Sequence, residues 1–416
     1  MNRIRRSIVG HVRLVRNLLG GTRLGQWLHV TLRRILLGTD AERVCRDADI
    51  LLRLTAYPER QPILPALPAD TGRMRLHWIV PDFNAGDGGI MNIFRFIHYF
   101  EEAGHTNTIW VHPRLHHDTA AAARQTIHTH FLPLEATVHI LEDPAEIEGD
   151  AVIATDRWTA YPAAAVERVR RRFYFVQDYE PDFYPRGAHA ILTENTYRLG
   201  FDCICNGRWL DTLMREDYGL WTCWWQQAYD PAHYHTNDRR ESEPPSIAFY
   251  ARFPTPRRAV ELGLMAFTLL HRDWDGDFRV DFFGTKPFNI DVPYPCRHLG
   301  VLSAAELGEL YRESTIGMAL SATNYSIVCR EMMACGLPVV DIAVPSVQAV
   351  YPEHCLALAR PDAAAIAQRI RGLLEQPAER ETLRDTALAY VKEFSWRDSA
   401  QRVEKEILER LRTPRP

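Results

Sequence analysis

Apolar residues recur along this chain in two rhythms, and the switches between them mark out its elements. Leu76, Trp78 and Val80 alternate in RLHWIV, the period of a strand, and the turn Asn84–Gly89 follows. Ile90, Ile93, Phe94, Ile97 and Phe100 then repeat at helical spacing, so a helix is predicted to open directly after the glycines. Further strand-like runs stand at 108–111, 151–155, 173–177 and 190–193, separated by helical or loop segments. A second series begins near 246, with runs at 246–251, 279–284, 316–321, 338–342 and 355–359. This alternation predicts an α/β protein with two halves, each a parallel sheet covered by helices on both faces.

Two stretches interrupt both rhythms. Pro58, Pro62, Pro65 and Pro68 fall in a polar segment, and Thr236–Pro245 is rich in Asp, Glu, Arg and Pro. The expected organisation is an extension with a Pro-rich linker at 1–70, a first domain at 71–240, a second at 241–395 and a closing helix at 396–416. Within the extension, residues 1–39 carry eight Arg and no acid before Asp40, with Ile4, Ile8, Val12, Val15 and Leu19 at helical spacing. Arg13 and Arg16 interrupt any apolar core of a signal peptide, and no run is long enough for a membrane span. Residues 1–37 therefore read either as a basic amphipathic segment on the anionic cytoplasmic face of the inner membrane, or as a helical arm packed on protein.

Composition narrows the function. The 416 residues are 46% hydrophobic and 25% charged, with a formal net charge of -4, so no global positive field points to nucleic acid. Eight Cys without a CxxC pair read as reduced thiols in the cytoplasm. No GxSxG, HExxH or Walker A pattern is present. Asp273–Asp277 imitates the start of a calcium loop but has Gly284 where the closing Glu belongs, and the seven His between 105 and 139 lack matching ligand spacing, so no metal is expected.

In two doubly wound halves, ligands collect at the carboxyl ends of the strands and in the cleft between the halves. Candidate chemistry follows from that rule. Gly88 and Gly89 join a strand to a helix, where bare amides hold an anion as readily as they make a plain turn. Arg252 ends the first strand of the second half, with Arg257 and Arg258 just beyond, and Lys286 stands after the next strand; such cations suit a diphosphate. Asp178, Tyr179 and Glu180 follow the run FYFVQ, and Asp82 follows the strand at 76–80; a carboxylate at either place is a candidate to orient or deprotonate a hydroxyl. Glu331 falls on a helix ended by Gly336, where it reads either as a surface side chain or as a grip on a vicinal diol.

Taken together, the Gly86–Gly89 turn, Arg252 and the segment Glu331-Met-Met-Ala-Cys-Gly-Leu-Pro-Val resemble the retaining GT-B glycosyltransferases, family 4-like, over about residues 74–412. The run 173–201, YARFPTPRR and FSWRDSAQRVEKEI look like rhamnosyltransferases of bacterial surface polysaccharide synthesis. The resemblance implies two Rossmann-like domains facing across a cleft, the N-terminal one for the acceptor and the C-terminal one for a nucleotide sugar, with a final helix crossing back. It implies Arg252, Lys286 and Asp178 as catalytic candidates. Gly88, Gly89, Arg257, Tyr325, Ser326 and Glu331 would bind the donor, and Asp82, Tyr179 and Glu180 would face the acceptor. The implied reaction moves a sugar, rhamnose from dTDP-rhamnose being one candidate, to a lipid-linked or polysaccharide acceptor, with the nucleotide sugar as co-substrate and no metal. A nucleotide-sugar epimerase and a non-catalytic carbohydrate- or nucleotide-binding scaffold are the alternatives. Thr323 stands where family members often carry an earlier Glu, and Ala251 stands where Gly usually precedes the Arg.

Overall fold

The computed structural model describes residues 40–287 and 290–415. The basic segment expected to meet a membrane, 1–37, lies outside the described residues. The described residues divide into two units, which part between Tyr57 and Pro58. In the first, the helix Asp40–Thr55 has acids in its opening turn and Arg53 in its last, as the helix dipole favours, and Val44 and Leu52 are exposed. Among the described residues no helix is long and apolar enough to cross a membrane.

The second unit contains two parallel sheets of the same winding. In the first half, β1 (Arg75–Val80), β2 (Thr106–Val111), β3 (Thr137–Ile140), β4 (Ala151–Ala154), β5 (Arg171–Val176), β6 (Asp202–Asn206) and β7 (Thr222–Trp225) lie in the order β3-β2-β1-β4-β5-β6-β7. In the second, β8 (Ser246–Tyr250), β9 (Arg279–Phe283), β10 (Cys296–Gly300), β11 (Ile316–Met318), β12 (Val339–Ile342) and β13 (Ala357–Ala359) lie in the order β10-β9-β8-β11-β12-β13. Each order reverses beside its first strand, at β1/β4 and at β8/β11. These switch points are where a doubly wound sheet opens a crevice.

The run 190–193, expected as a strand, is instead part of the helix Ala188–Asn195. Its buried positions are Ala190 and Thr193, a helical spacing, while Ile191 is 49% exposed. The next strand is β6, whose DCICN sequence is buried throughout but carries Asp and Asn at its ends, which hides it from an apolar-run reading. Strands β3 and β10 are short and partly polar, and β7, although largely apolar, is only four residues long, so all three escape the same reading.

The Pro-rich segment is strapped to the first half. Arg60 N–H donates to Ala164 O at 3.0 Å, Ile63 N–H to Glu167 O at 2.8 Å, and Leu67 N–H to Leu411 O at 2.8 Å. The helix Trp396–Arg412 lies on the same half. Trp396, Ala400, Val403, Ile407 and Leu411 enter the core between Phe96, Phe100 and Trp225, while Arg410 grips Asp202 with two hydrogen bonds of 2.8 and 2.9 Å. Arg412 reaches Thr71 O, and Arg415 reaches Leu64 O.

Both crossings between the halves meet at one buried guanidinium. Arg330, in the helix Ile327–Ala334, is fully buried and donates to Gln227 O at 2.8 Å and to Gln226 Oε1 and Tyr390 Oη at 3.0 Å. Gln226 and Gln227 begin the connection from β7 to β8; Tyr390 precedes the return to Trp396. Tyr325, Tyr351, Tyr390 and Phe394 surround the cation at 4.8 to 5.6 Å. Ser399 closes the knot by donating to Gln226 O at 2.7 Å. Among the described residues no carboxylate pairs with Arg330, so carbonyl and hydroxyl oxygens and ring faces stabilise its charge. Arg330→Met is expected to lower stability by about 3–5 kcal/mol in urea unfolding, because three buried acceptors lose their donor and the ring cage loses its cation. Arg330→Lys is expected to recover only part of that, since an ammonium cannot span the same three acceptors in one plane.

Candidate functional site

The two switch points open onto one cleft of about 410 Å³. Pro81 after β1 and Thr155 and Asp156 after β4 line it from the first half; Tyr250 and Arg252 after β8 and Tyr325 before the Ile327 helix line it from the second. This is the geometry that the repeated strand order dictates.

On the first half, the helix Gly88–Glu102 begins at the cleft with Gly88 and Gly89 exposed. Asp87 is its N-cap, but the side chain makes no capping bond, so the first-turn amides are open to an anion. Gln177, from the end of β5, fixes this turn. Its Nε2 donates to Gly89 O at 3.0 Å and its Oε1 accepts from Asn92 Nδ2 at 3.0 Å. A Cβ on Gly89 would come within 3.6 Å of Gln177, so the turn and the amide side chain are in close contact.

On the second half, Arg252, Arg257 and Arg258 converge on the same cleft. Arg252 is exposed and has no carboxylate within ion-pair distance among the described residues. Arg257 lies flat on the Phe183 ring at 4.3 Å, and its buried Nε has no hydrogen-bond acceptor. Burial pushes Arg257 below its ordinary value, opposed chiefly by Asp178. Arg258 donates to Ser321 Oγ at 3.3 Å and lies over Tyr250 at 5.6 Å. Behind Ser321, the fully buried Asp341 accepts from Ser321 N–H at 2.9 Å and Ile342 N–H at 2.8 Å, and burial pushes it up to about 7. Lys286 is not in the cleft: the chain turns at Gly284, where φ is 91° and a side chain would strike Tyr250, and leaves Lys286 exposed on the loop beyond.

The acids divide by environment. Asp178 lines the cleft and is bound across it. Its Oδ2 accepts from Thr323 Oγ1 at 3.0 Å and its Oδ1 from Asn324 N–H at 3.0 Å, while Arg257 Nε stands 3.4 Å from Oδ2. Burial raises its carboxyl, with Arg257 the largest opposing influence. Glu180 also lines the cleft; it is buried, accepts from Arg157 N–H at 2.9 Å and Tyr174 Oη at 3.3 Å, and burial pushes it up. Tyr179 faces away, its hydroxyl bonded to Tyr218 at 2.8 Å, and does not line the cleft. Asp82 is likewise absent from it. Its carboxylate accepts from the amides of Leu115, His116 and His117 and from His117 Nδ1, and it orders that loop.

Tyr325 and Ser326 sit at the base of the cleft, but their polar atoms are committed. Tyr325 Oη donates to Asn206 Oδ1 at 2.7 Å and accepts from Gln227 N–H, and Ser326 Oγ caps its helix through Val328 N–H. Glu331, one turn after the cleft-lining Ile327, is half-buried and does not itself line the cleft. Burial pushes its carboxyl up to about 7, opposed by the Arg95 cation and by a hydrogen bond from Tyr234. The sequence reading missed Gln177, Asp156, Phe183 and Asn206. Gln177 alone carried a signal, as the last residue of a strand-like run.

The chain is 13% identical to sucrose-phosphate synthase from Thermosynechococcus elongatus, with a TM-score of 0.61, covering 81% of this chain and 99% of that one. Anabaena Alr3699/HepE, solved in complex with UDP-glucose, gives 14% identity and a TM-score of 0.60 at 81% and 99% coverage. The fold is GT-B. Residues 244–376, within the second half, match the family described as Glycosyl transferases group 1. The chain is also 31% identical over 340 residues to the O-antigen biosynthesis protein RfbC of Myxococcus xanthus, covering 80% of this chain and 27% of that protein. This chain thus spans about a quarter of that relative's length.

Burial alone would raise Asp82, but the hydrogen bonds from His116, His117 and Leu115 outweigh it and hold the carboxyl at about 2. A folded value below the ordinary 3.8 contributes stability above that value, and the contribution is lost as pH falls through about 2. Asp82→Asn is therefore expected to lower the melting temperature at pH 7, by an amount that shrinks toward pH 2, and to leave ligand binding in the cleft unchanged.

Proposed function

We propose that this GT-B protein transfers a sugar from a nucleotide-sugar donor to a glycan acceptor in cell-surface polysaccharide synthesis. The observation that carries this reading is the convergence of Arg252, Arg257 and Arg258 opposite an uncapped helix start at Gly88–Gly89, on one cleft. Guanidinium groups match the paired oxygens of a diphosphate, and the open amides add a second set of donors from the other half. The likeness to RfbC of O-antigen biosynthesis supports the process, and the group 1 glycosyltransferase match supports the chemistry.

In this reading the diphosphate of the donor lies against the arginines and Glu331 accepts the ribose hydroxyls. The acceptor approaches from the Asp156 and Glu180 side. The acceptor oxygen forms a bond to the anomeric carbon as the carbon–phosphate-oxygen bond breaks, the leaving diphosphate takes the hydroxyl proton, and the configuration is retained. The arginines stabilise charge that develops on the leaving group, and the cleft walls hold the acceptor oxygen on the same face of the sugar as the departing phosphate. Rhamnose is the proposed sugar, on the resemblance of residues 173–201 to rhamnosyltransferases, and a lipid-linked or polysaccharide glycan the proposed acceptor.

A thermal-shift panel of nucleoside diphosphates and nucleotide sugars tests the donor assignment: one base should raise the melting temperature, and no shift with any of them counts against the reading. Arg252→Ala is expected to cut turnover at least about 100-fold with the melting temperature unchanged; near-normal turnover would remove Arg252 from the reaction. A charged carboxylate accepts hydroxyl hydrogen bonds more strongly than a neutral one, so nucleotide affinity should rise as pH passes upward through about 7, where Glu331 ionises. Titration calorimetry of Glu331→Gln should show weaker binding and a flat profile over the same range.

A further inference from the structure

Arg257 is the one cation of the cleft trio that the structure pairs with a carboxylate, and that carboxylate comes from the opposite half. Asp178 follows β5 in the first half, whereas Arg257 lies in the Pro256–Arg258 turn of the second. The contact is an ion pair of 3.4 Å without hydrogen-bond geometry, and Arg257 Nε is buried with no acceptor. The guanidinium is nonetheless positioned, flat against Phe183 at 4.3 Å, which is again a residue of the first half. Asp178 is held independently of Arg257 by Thr323 Oγ1, Asn324 N–H and Tyr179 N–H at 2.8 to 3.0 Å.

A carboxylate and a phosphate offer a guanidinium the same kind of face, two oxygens sharing a negative charge. Arg257 cannot give its full set of donors to both. Its contact with Asp178 leaves the buried Nε without an acceptor, which is the state a stronger anion would relieve.

We propose that Asp178 is an internal competitor for Arg257: it occupies the arginine when the cleft is empty, yields it to the donor's diphosphate, and reclaims it as the nucleoside diphosphate product leaves. This rests on the donor reading given above. It makes Asp178 a positioning residue that acts through Arg257. The exchange also trades a contact between the halves for a contact with ligand, so donor arrival loosens one link across the cleft while Thr323 and Asn324 keep the others.

The test is calorimetric titration of wild type, Asp178→Asn and Thr323→Val with UDP, GDP, ADP and dTDP, and with pyrophosphate as a base-independent probe. Asparagine keeps the shape of Asp178 and removes its charge. Asp178→Asn should bind the preferred nucleoside diphosphate about 3- to 10-fold more tightly than wild type. In turnover assays it should lower KM and kcat together, because product leaves more slowly. A merely structural role would weaken binding. Thr323→Val removes a neighbouring link but leaves the ion pair, so its affinity should stay at the wild-type value. In an Arg257→Met background the effect of Asp178→Asn should vanish. Unchanged or weaker binding by Asp178→Asn overturns the competitor role alone, as does an equal gain in Thr323→Val. Failure of the wild type to bind any probe overturns the donor reading with it.

Discussion

The arrangement of the cleft depends on a charge buried without a countercharge. Arg330 has no carboxylate partner among the described residues, yet it joins the outgoing connection at Gln226–Gln227 to the returning one at Tyr390 and Phe394. Burying a guanidinium costs several kcal/mol unless its donors and its field are both satisfied. Three oxygen acceptors take the terminal nitrogens and four ring faces meet the charge, while Nε keeps no acceptor; these groups come from both crossings and from the second half itself. The charge is therefore stable only when these pieces are assembled together, which ties the register of the crossings to the helix that carries Glu331 in the next position.

That register gives the cleft its chemistry. Two sheets wound in the same order each present one switch point, and the Arg330 knot brings the two switch points face to face. The first half contributes backbone donors and an amide clamp, Gln177, that fixes them. The second contributes side-chain cations. Neither wall alone makes an anion site with donors on two sides.

The elements that the sequence revealed are those whose signals are local. The β1–glycine–helix unit, the arginines beyond β8 and the helix ended by Gly336 each declare themselves within about a dozen residues, and each stands where the reading put it. The closing helix at Trp396 also follows its pattern, with apolar residues on the face that meets the first half. What escaped was set by partners far away in the chain. Asp178 read as a candidate to orient or deprotonate a hydroxyl, and nothing near it in the chain announces Thr323, 145 residues on, which bonds it across the cleft. Asp82 read as a cleft residue because nothing in its neighbourhood announces the loop at 115–117 that folds over it. Lys286 followed a strand end as Arg252 does, but the turn at Gly284 sends it elsewhere. The mistaken strand at 190–193 failed for a different reason: four residues are too few to separate the two periods, and burial at 190 and 193 decided for the helix.

The Pro-rich strap and the end of the closing helix lie side by side, with Leu67 bonded to Leu411 and Arg415 reaching back to Leu64. The strap and the closing helix are consequently both fastened to the first half, and the second half joins it through two internal crossings. Movement of the second half relative to the first would bend those two crossings and leave the seam between the strap and the closing helix intact.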